Sequence, residues 1–388
     1  MSNVIGGPPR AWRAGTSALA IPVCKPMLPD ADRLLPYLRE IDGARWYSNH
    51  GPLSKAFETR LAMHAAAGAA DEVVVVANAT TGLTATLMAL GAQPGTLCLM
   101  PAWTFAASGH AVVQAGLRPW FVDVDPFDGA LTPPAAARIV ADPPGPIGAV
   151  LVVSPFGRPV DTGAWETFRR EHGVPVVLDA AAAFDVVRSS PIPTVVSLHA
   201  TKVLATGEGA FVVWSDADGV GAIRRRINFG FADSREALTA AMNGKLSEYA
   251  AAVGLAALDG WPTARAAYAR VARRYASAFE GIAAVRLQPG YGGGEWLSAT
   301  TIVHVPPERL AHVEDALARA GIGTRRWWGD GLARHAAFTG DGREPLPVTD
   351  ALASTTLGLP CFPDLPGEAI AEIAAAVIAA CGAGVRSG

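Results

Sequence analysis

The chain has 388 residues, half of them apolar and 17% charged, with a formal net charge of −3. That length allows more than one hydrophobic core, and a composition this apolar excludes a disordered binder. A charge balance this close to neutral gives no electrostatic reason to expect nucleic acid or an anionic membrane as a partner.

Residues 1–50 are rich in proline and glycine and are expected to form an arm crossing the larger of two domains. Within them, Ala18-Leu-Ala-Ile-Pro-Val follows Arg10 and Arg13 but is too short and too broken by proline for a signal core. No run reaches membrane-spanning length either. The larger domain is expected over residues 51–250. In it, short valine-rich runs alternate with helical stretches: Val73-Val-Val-Val-Ala, Leu97-Cys-Leu-Met-Pro, Pro119-Trp-Phe-Val-Asp-Val-Asp, Ala149-Val-Leu-Val-Val, Val174-Pro-Val-Val-Leu and Val195-Val-Ser-Leu. Continuous apolar runs separated by helices predict an α/β fold with a mainly parallel sheet covered on both faces, a three-layer αβα arrangement. From about Ala250 the texture changes to alanine-rich helix (Trp261 to Ile282), a glycine-rich turn at Gly290-Tyr-Gly-Gly-Gly, and a second αβ segment ending in a helix from Glu368 to Ala380. Residues 251–388 are therefore expected to form a smaller C-terminal α/β domain. The four cysteines, Cys24, Cys98, Cys361 and Cys381, form no C-x-x-C pair or zinc-spaced cluster, so no metal is expected and a cytoplasmic location suits them.

Ligands in parallel sheets bind beyond the carboxyl ends of the strands. Two chemically capable groups fall there. Val174-Pro-Val-Val-Leu-Asp179 ends in an aspartate, and Ser197-Leu-His-Ala-Thr-Lys202, before the glycine-rich Gly207-Glu-Gly-Ala, carries a lysine just past a strand. An acid and a lysine at one sheet edge suggest pyridoxal phosphate: the amine forms a Schiff base with the cofactor aldehyde, and the aspartate keeps the pyridine nitrogen protonated. Asn78-Ala-Thr-Thr-Gly-Leu follows the first strand and opens a helix over Leu83 to Leu90, where free amides and hydroxyls could hold a phosphate or simply cap the helix. This is not the G-x-G-x-x-G fingerprint of a nicotinamide-dependent oxidoreductase. Pro101-Ala-Trp-Thr-Phe105 places two aromatic rings after the next strand, able to stack on a flat cofactor or to pack in the core.

Taken in order, these pieces resemble the DegT/DnrJ/EryC1/StrS family of pyridoxal-phosphate sugar aminotransferases, of fold type I. The resemblance begins at Trp46-Tyr-Ser-Asn-His-Gly-Pro and continues through Val122-Asp-Val-Asp-Pro, Asp179-Ala-Ala-Ala-Ala and Asn243-Gly-Lys-Leu-Ser-Glu to Leu357-Gly-Leu-Pro. It implies that Lys202 is the Schiff-base lysine and Asp179 the partner of the pyridine nitrogen. It places Phe105 against the cofactor ring, and Ala79, Thr80 and Ser197 around its phosphate. Asn243 would reach the phosphate from the neighbouring protomer of a homodimer. Two positions depart from the family pattern. Ala182 stands where a histidine or glutamine usually approaches the cofactor's phenolic oxygen, and Ala79 replaces a glycine, which requires the local backbone to avoid positive φ.

The activity so implied is transfer of an amino group from L-glutamate or L-glutamine to a keto sugar, a nucleotide-linked 3- or 4-keto-deoxysugar, in two half-reactions. Relatives with histidine in place of the lysine catalyse dehydration, so Lys202 favours amino transfer. Arg326, Trp328 and His335 in the smaller domain, with Tyr47 and Asn49 in the arm, are candidates for the sugar-nucleotide pocket, each equally readable as surface charge or core packing. A keto-cyclitol or another ketone of secondary metabolism is an alternative acceptor that Ala182 makes credible. A non-catalytic cofactor-binding or regulatory protein is the alternative from another class.

Overall fold

The computed structural model describes residues 21–382, so Arg10, Arg13 and the first part of the expected arm lie outside the described residues. The strands are β1 (Val73–Val76), β2 (Leu97–Pro101), β3 (Arg118–Val122), β4 (Ile147–Val153), β5 (Val176–Asp179), β6 (Thr194–Ser197), β7 (Ala210–Val213), β8 (Arg286–Leu287), β9 (Thr301–His304), β10 (Gly342–Arg343) and β11 (Thr356–Leu359). Eight of them form one sheet in the order β1-β7-β6-β5-β4-β2-β3-β10, and β11-β9-β8 form a second, antiparallel one. In the large sheet only β7 runs against its neighbours β1 and β6. The mainly parallel α/β sheet expected from the sequence is therefore present.

Successive strand residues point to opposite faces. Val73, Val75, Leu99, Val150, Val152, Val176 and Leu178 join one core, while Val74, Val76, Cys98, Met100, Leu151, Val153 and Val177 join the other. Both faces are dry, which is why these strands are apolar throughout rather than alternating with polar residues. One face is covered by α3 (Ala79–Ala89), α4 (Ala106–Gln114) and α7 (Ala217–Arg226). The other carries α2 (Pro52–His64), α5 (Pro133–Ala141), α6 (Thr162–His172), α8 (Glu248–Asp259) and α9 (Trp261–Phe279). The small sheet is accompanied by α10 (Pro307–Arg319), α11 (Pro347–Thr355) and α12 (Gly367–Ala380), with α12 packed between α9 and α10.

Three sequence expectations differ from the structure. The arm contains a helix, α1 (Ala31–Ala44), with Pro36 inside it, capped by the Asp30 carboxylate accepting from Arg33 N and packed on α8. The change of texture at Ala250 falls inside α8 rather than between elements, because α8 packs back on α1 and α2. Helix α3 begins at Ala79, four residues earlier than expected, because Asn78 Oδ1 accepts from Thr81 N at 2.9 Å and fixes the helix start.

Candidate active site

Because β1, β2, β4, β5 and β6 share one direction, their carboxyl ends lie along one edge of the sheet. The segments that leave them carry the residues singled out above: Asn78-Ala-Thr after β1, Trp103 to Phe105 after β2, Asp179 at the end of β5, Ser197 at the end of β6 and Lys202 in the following loop. That loop is closed by backbone hydrogen bonds. Lys202 N donates to His199 O at 2.9 Å, Ala200 N to Gly207 O at 2.8 Å and Thr206 N to Leu198 O at 2.8 Å. Gly207 turns the chain back at φ +87°, a conformation that disfavours a side chain.

Asp179 is only 6% exposed. Its Oδ2 accepts from Ser108 Oγ at 2.7 Å and its Oδ1 from Ala181 N at 3.1 Å. Burial raises its pKa above the usual carboxylate range, opposed by the Ser108 and Ala181 hydrogen bonds and by attraction to Lys202. Burial likewise lowers the pKa of Lys202, with the attraction of Asp179 pulling the other way. For both groups desolvation prevails. The edge thus favours a neutral amine at Lys202 and disfavours an unpartnered charge at Asp179, which a cationic N–H partner would stabilise.

Helix α3 starts at the same edge, and the amides of Ala79 and Thr80, in its first turn, have no acceptor within the helix. Ala79 is not among the residues with positive φ, so the alanine in place of glycine is accommodated as helical backbone. Ser197, 6% exposed, accepts from His199 N at 3.2 Å and keeps its own hydroxyl hydrogen for another acceptor. Phe105 is the N-cap residue of α4 and stands 58% exposed, a ring with one face to offer. Asn243 is exposed, its Oδ1 accepting from Lys245 Nζ at 2.7 Å. Its neighbour Gly244 accepts from Ala77 N at 2.8 Å, which brings this segment beside the turn between β1 and α3.

The acceptor-pocket candidates are spread differently. Trp328 is buried, 9% exposed, stacked on Phe156 at 4.0 Å and edge-on to Trp103 at 5.3 Å, so its ring is spent on packing. The Arg326 guanidinium is engaged by the Glu314 carboxylate, Nε to Oε1 at 2.9 Å. His335 closes a short helical turn at Leu332–Arg334 and is exposed. Tyr47 is 48% exposed and stacks on Tyr249 at 6.2 Å, and Asn49 lies exposed at φ 64°. Among the described residues no hydrogen bond, ion pair or ring contact joins any of these five to Lys202 or Asp179. Ala182 turns its carbonyl toward Gly157, where an added Cβ would lie 2.5 Å from Ala182 O. Ser108, which grips Asp179, carries no sequence signal beyond standing four residues after Thr104 in the helix that follows β2.

The DegT/DnrJ/EryC1/StrS aminotransferase family model matches residues 30–378. The chain belongs to this family. It is 30% identical over 406 residues to Protein Rv3402c of Mycobacterium tuberculosis, covering 97% of each. It is 32% identical over 257 residues to the dTDP-4-amino-4,6-dideoxy-D-glucose transaminase of Shigella dysenteriae, covering 62% of this chain and 65% of that one. The crystal structure of DesI in the presence of its TDP-sugar product superposes with a TM-score of 0.83 at 31% identity, covering 93% of both chains. The protein is a pyridoxal-phosphate-dependent aminotransferase of fold type I. The residues present fit the cofactor: a dry carboxylate whose two protein donors leave lone pairs free, a lysine depressed in pKa, a helix start and an exposed ring share the strand-end edge. Among the described residues no helix is long and apolar enough to cross a membrane, and no group of three or more metal-capable side chains occurs.

Proposed function

We propose that the protein transfers the amino group of L-glutamate or L-glutamine to a nucleotide-linked keto sugar, a 3- or 4-keto-deoxysugar, in two half-reactions with ping-pong kinetics. The observation that carries the reading is the buried Asp179 carboxylate, held at both oxygens, at the sheet edge that also carries Lys202. The sugar-nucleotide acceptor is supported by the relative whose name specifies a dTDP-aminosugar and by the DesI structure with its TDP-sugar product.

Pyridoxal phosphate, when bound, supplies an aldehyde and an electron-withdrawing pyridine ring. Lys202 Nζ would hold the aldehyde, Asp179 the ring nitrogen, and Phe105 one ring face. The amides of Ala79 and Thr80 and the hydroxyl of Ser197 would hold the phosphate, with Asn243 completing the cradle from the partner of a homodimer. Once the donor's amine takes its place on the aldehyde, Lys202 would be free to serve as the base. Its Nζ would take the proton from the α-carbon of the donor in the first half-reaction and give one to the carbon being aminated in the second. Only the neutral amine accepts a proton, and desolvation of Lys202 favours that form. Asp179, buried and facing the ring nitrogen, would keep the proton there through both halves.

The test is the absorbance spectrum of the cofactor-loaded protein before and after L-glutamate or L-glutamine. Loss of the visible band of the lysine-bound cofactor on adding donor, and its return on adding a keto-sugar nucleotide, is the expected result. A band unchanged by either donor would overturn the donor assignment, and a band that fails to return with any keto-sugar nucleotide would overturn the acceptor.

A further inference from the structure

Thr104 lies just before the N-cap of α4 and Ser108 in its first turn, four residues on, so their side chains share one side of the helix start. Thr104 Oγ1 is 2.8 Å from Ser108 Oγ, and Ser108 Oγ is 2.7 Å from Asp179 Oδ2. An ionised carboxylate has no hydrogen to give, so the Ser108 hydrogen points at Asp179 and Thr104 donates its own to Ser108. The chain of hydrogen bonds therefore has one direction, from Thr104 through Ser108 to Asp179. Exposures of 1% for Thr104, 0% for Ser108 and 6% for Asp179 leave little room for water to replace a missing donor.

Helix capping does not account for these hydroxyls. The N-cap of α4 is Phe105, whose side chain makes no capping bond, and neither hydroxyl accepts from a first-turn amide. Ser108 is spent on the carboxylate instead, and Thr104 on Ser108. We propose that Thr104 and Ser108 are positioning residues for the cofactor, acting together through Asp179 to fix the carboxylate that faces the pyridine nitrogen. The proposal rests on the assignment of Asp179 made above. Ala181 N holds the other oxygen at 3.1 Å, so without Ser108 the carboxylate is fixed at one end only and is free to turn. Ser108 is also first among the influences that oppose the effect of burial on Asp179.

The experiment uses the full chain as apoprotein and measures pyridoxal phosphate affinity by absorbance titration, with the spectrum of the bound cofactor and the melting temperature of the apoprotein alongside. Ser108→Ala is expected to weaken binding about tenfold and to shift the spectrum, since a hydrogen bond to a charged group is lost. Thr104→Val is expected to act in the same direction by about threefold, because it weakens a bond rather than removing it. The double variant is expected to match Ser108→Ala alone, since Thr104 acts only through Ser108. Unchanged affinity and spectrum in Ser108→Ala would overturn the proposal, as would additive effects in the double variant or a lower apoprotein melting temperature with no change in affinity. Asp179→Asn separates the two readings. If it binds the cofactor normally, the Asp179 assignment itself fails; if it loses affinity while Ser108→Ala does not, only the relay fails.

Discussion

The carboxyl-end edge of the large sheet and the segment from Arg326 to Trp328 both contain arginine, aromatic or acidic residues of the kind that bind substrates, but they use them differently. At the sheet edge, Asp179 and Ser197 are buried with part of their bonding capacity unspent, Phe105 is a large ring left 58% exposed, and Lys202 is held by a closed loop. Elsewhere, Arg326 has its charge answered by Glu314, and Trp328 is packed into the large-sheet core against Phe156 and Trp103. Residue type alone therefore does not mark a site. What marks it is bonding capacity retained after folding, in a place where retaining it costs stability.

The largest test of that contrast is Lys202→Ala, which is expected to lower kcat by about 10⁴-fold or more, as befits loss of both a covalent anchor and a base. Apoprotein stability should change little, since Lys202 donates no side-chain hydrogen bond among the described residues. A variant retaining normal multiple turnover would remove Lys202 from the mechanism. Trp328→Ala should do the reverse. Deleting a buried aromatic costs about 3–5 kcal/mol, so denaturant titration is expected to show a large loss of stability. Trp328→Phe, which keeps a ring against Phe156, should recover most of it, whereas a loss of acceptor affinity at unchanged stability would return Trp328 to the pocket.

The two regions were unequally legible in the sequence. Asp179 was readable because it ends an apolar run, and Lys202 because it follows β6 in the next short loop, so each strand end fixes a position at the sheet edge. Ser108 was not: a serine among alanines in a short helix is indistinguishable from a solvent-facing one until β5 is placed beside it. Trp328 was ambiguous for the same reason, since Phe156 and Trp103 lie far away in the chain. Helix α1 escaped notice because Pro36 argues against a helix locally, whereas packing on α8 stabilises one.

A smaller effect is expected in the small sheet, where His304 on β9 lies opposite Arg286 on β8 and accepts or donates to Thr356 Oγ1 at 3.2 Å. Burial, then the nearby Arg286, lowers its pKa from 6.5 to about 4. The folded protein thus stays neutral at His304 where the unfolded chain takes up a proton. Stability from this group is unaffected above 6.5 and falls as pH drops from 6.5 towards 4. His304→Gln should flatten that part of the stability curve, measured by denaturant midpoint against pH. An unchanged slope would assign the acid sensitivity elsewhere, with His50, also lowered to about 4, the next group to test.

The smallest expected effect is that of Arg326→Ala. The side chains of Arg326 and Glu314 are 38% and 28% exposed, and an ion pair so placed contributes about 0–1 kcal/mol. The hydrogen bonds to Glu314 raise the pKa of the guanidinium, so it stays charged. With its charge already answered, Arg326 has little left for a diphosphate, and the variant is expected to keep both donor and acceptor KM within about twofold of the parent. A rise confined to the acceptor KM would mean that Glu314 gives up the guanidinium when the acceptor arrives. Glu314→Gln would then lower the acceptor KM by releasing Arg326 in advance, and the contrast between a sheet edge with bonding capacity to spare and an arginine already paired would give way to a pocket assembled from both.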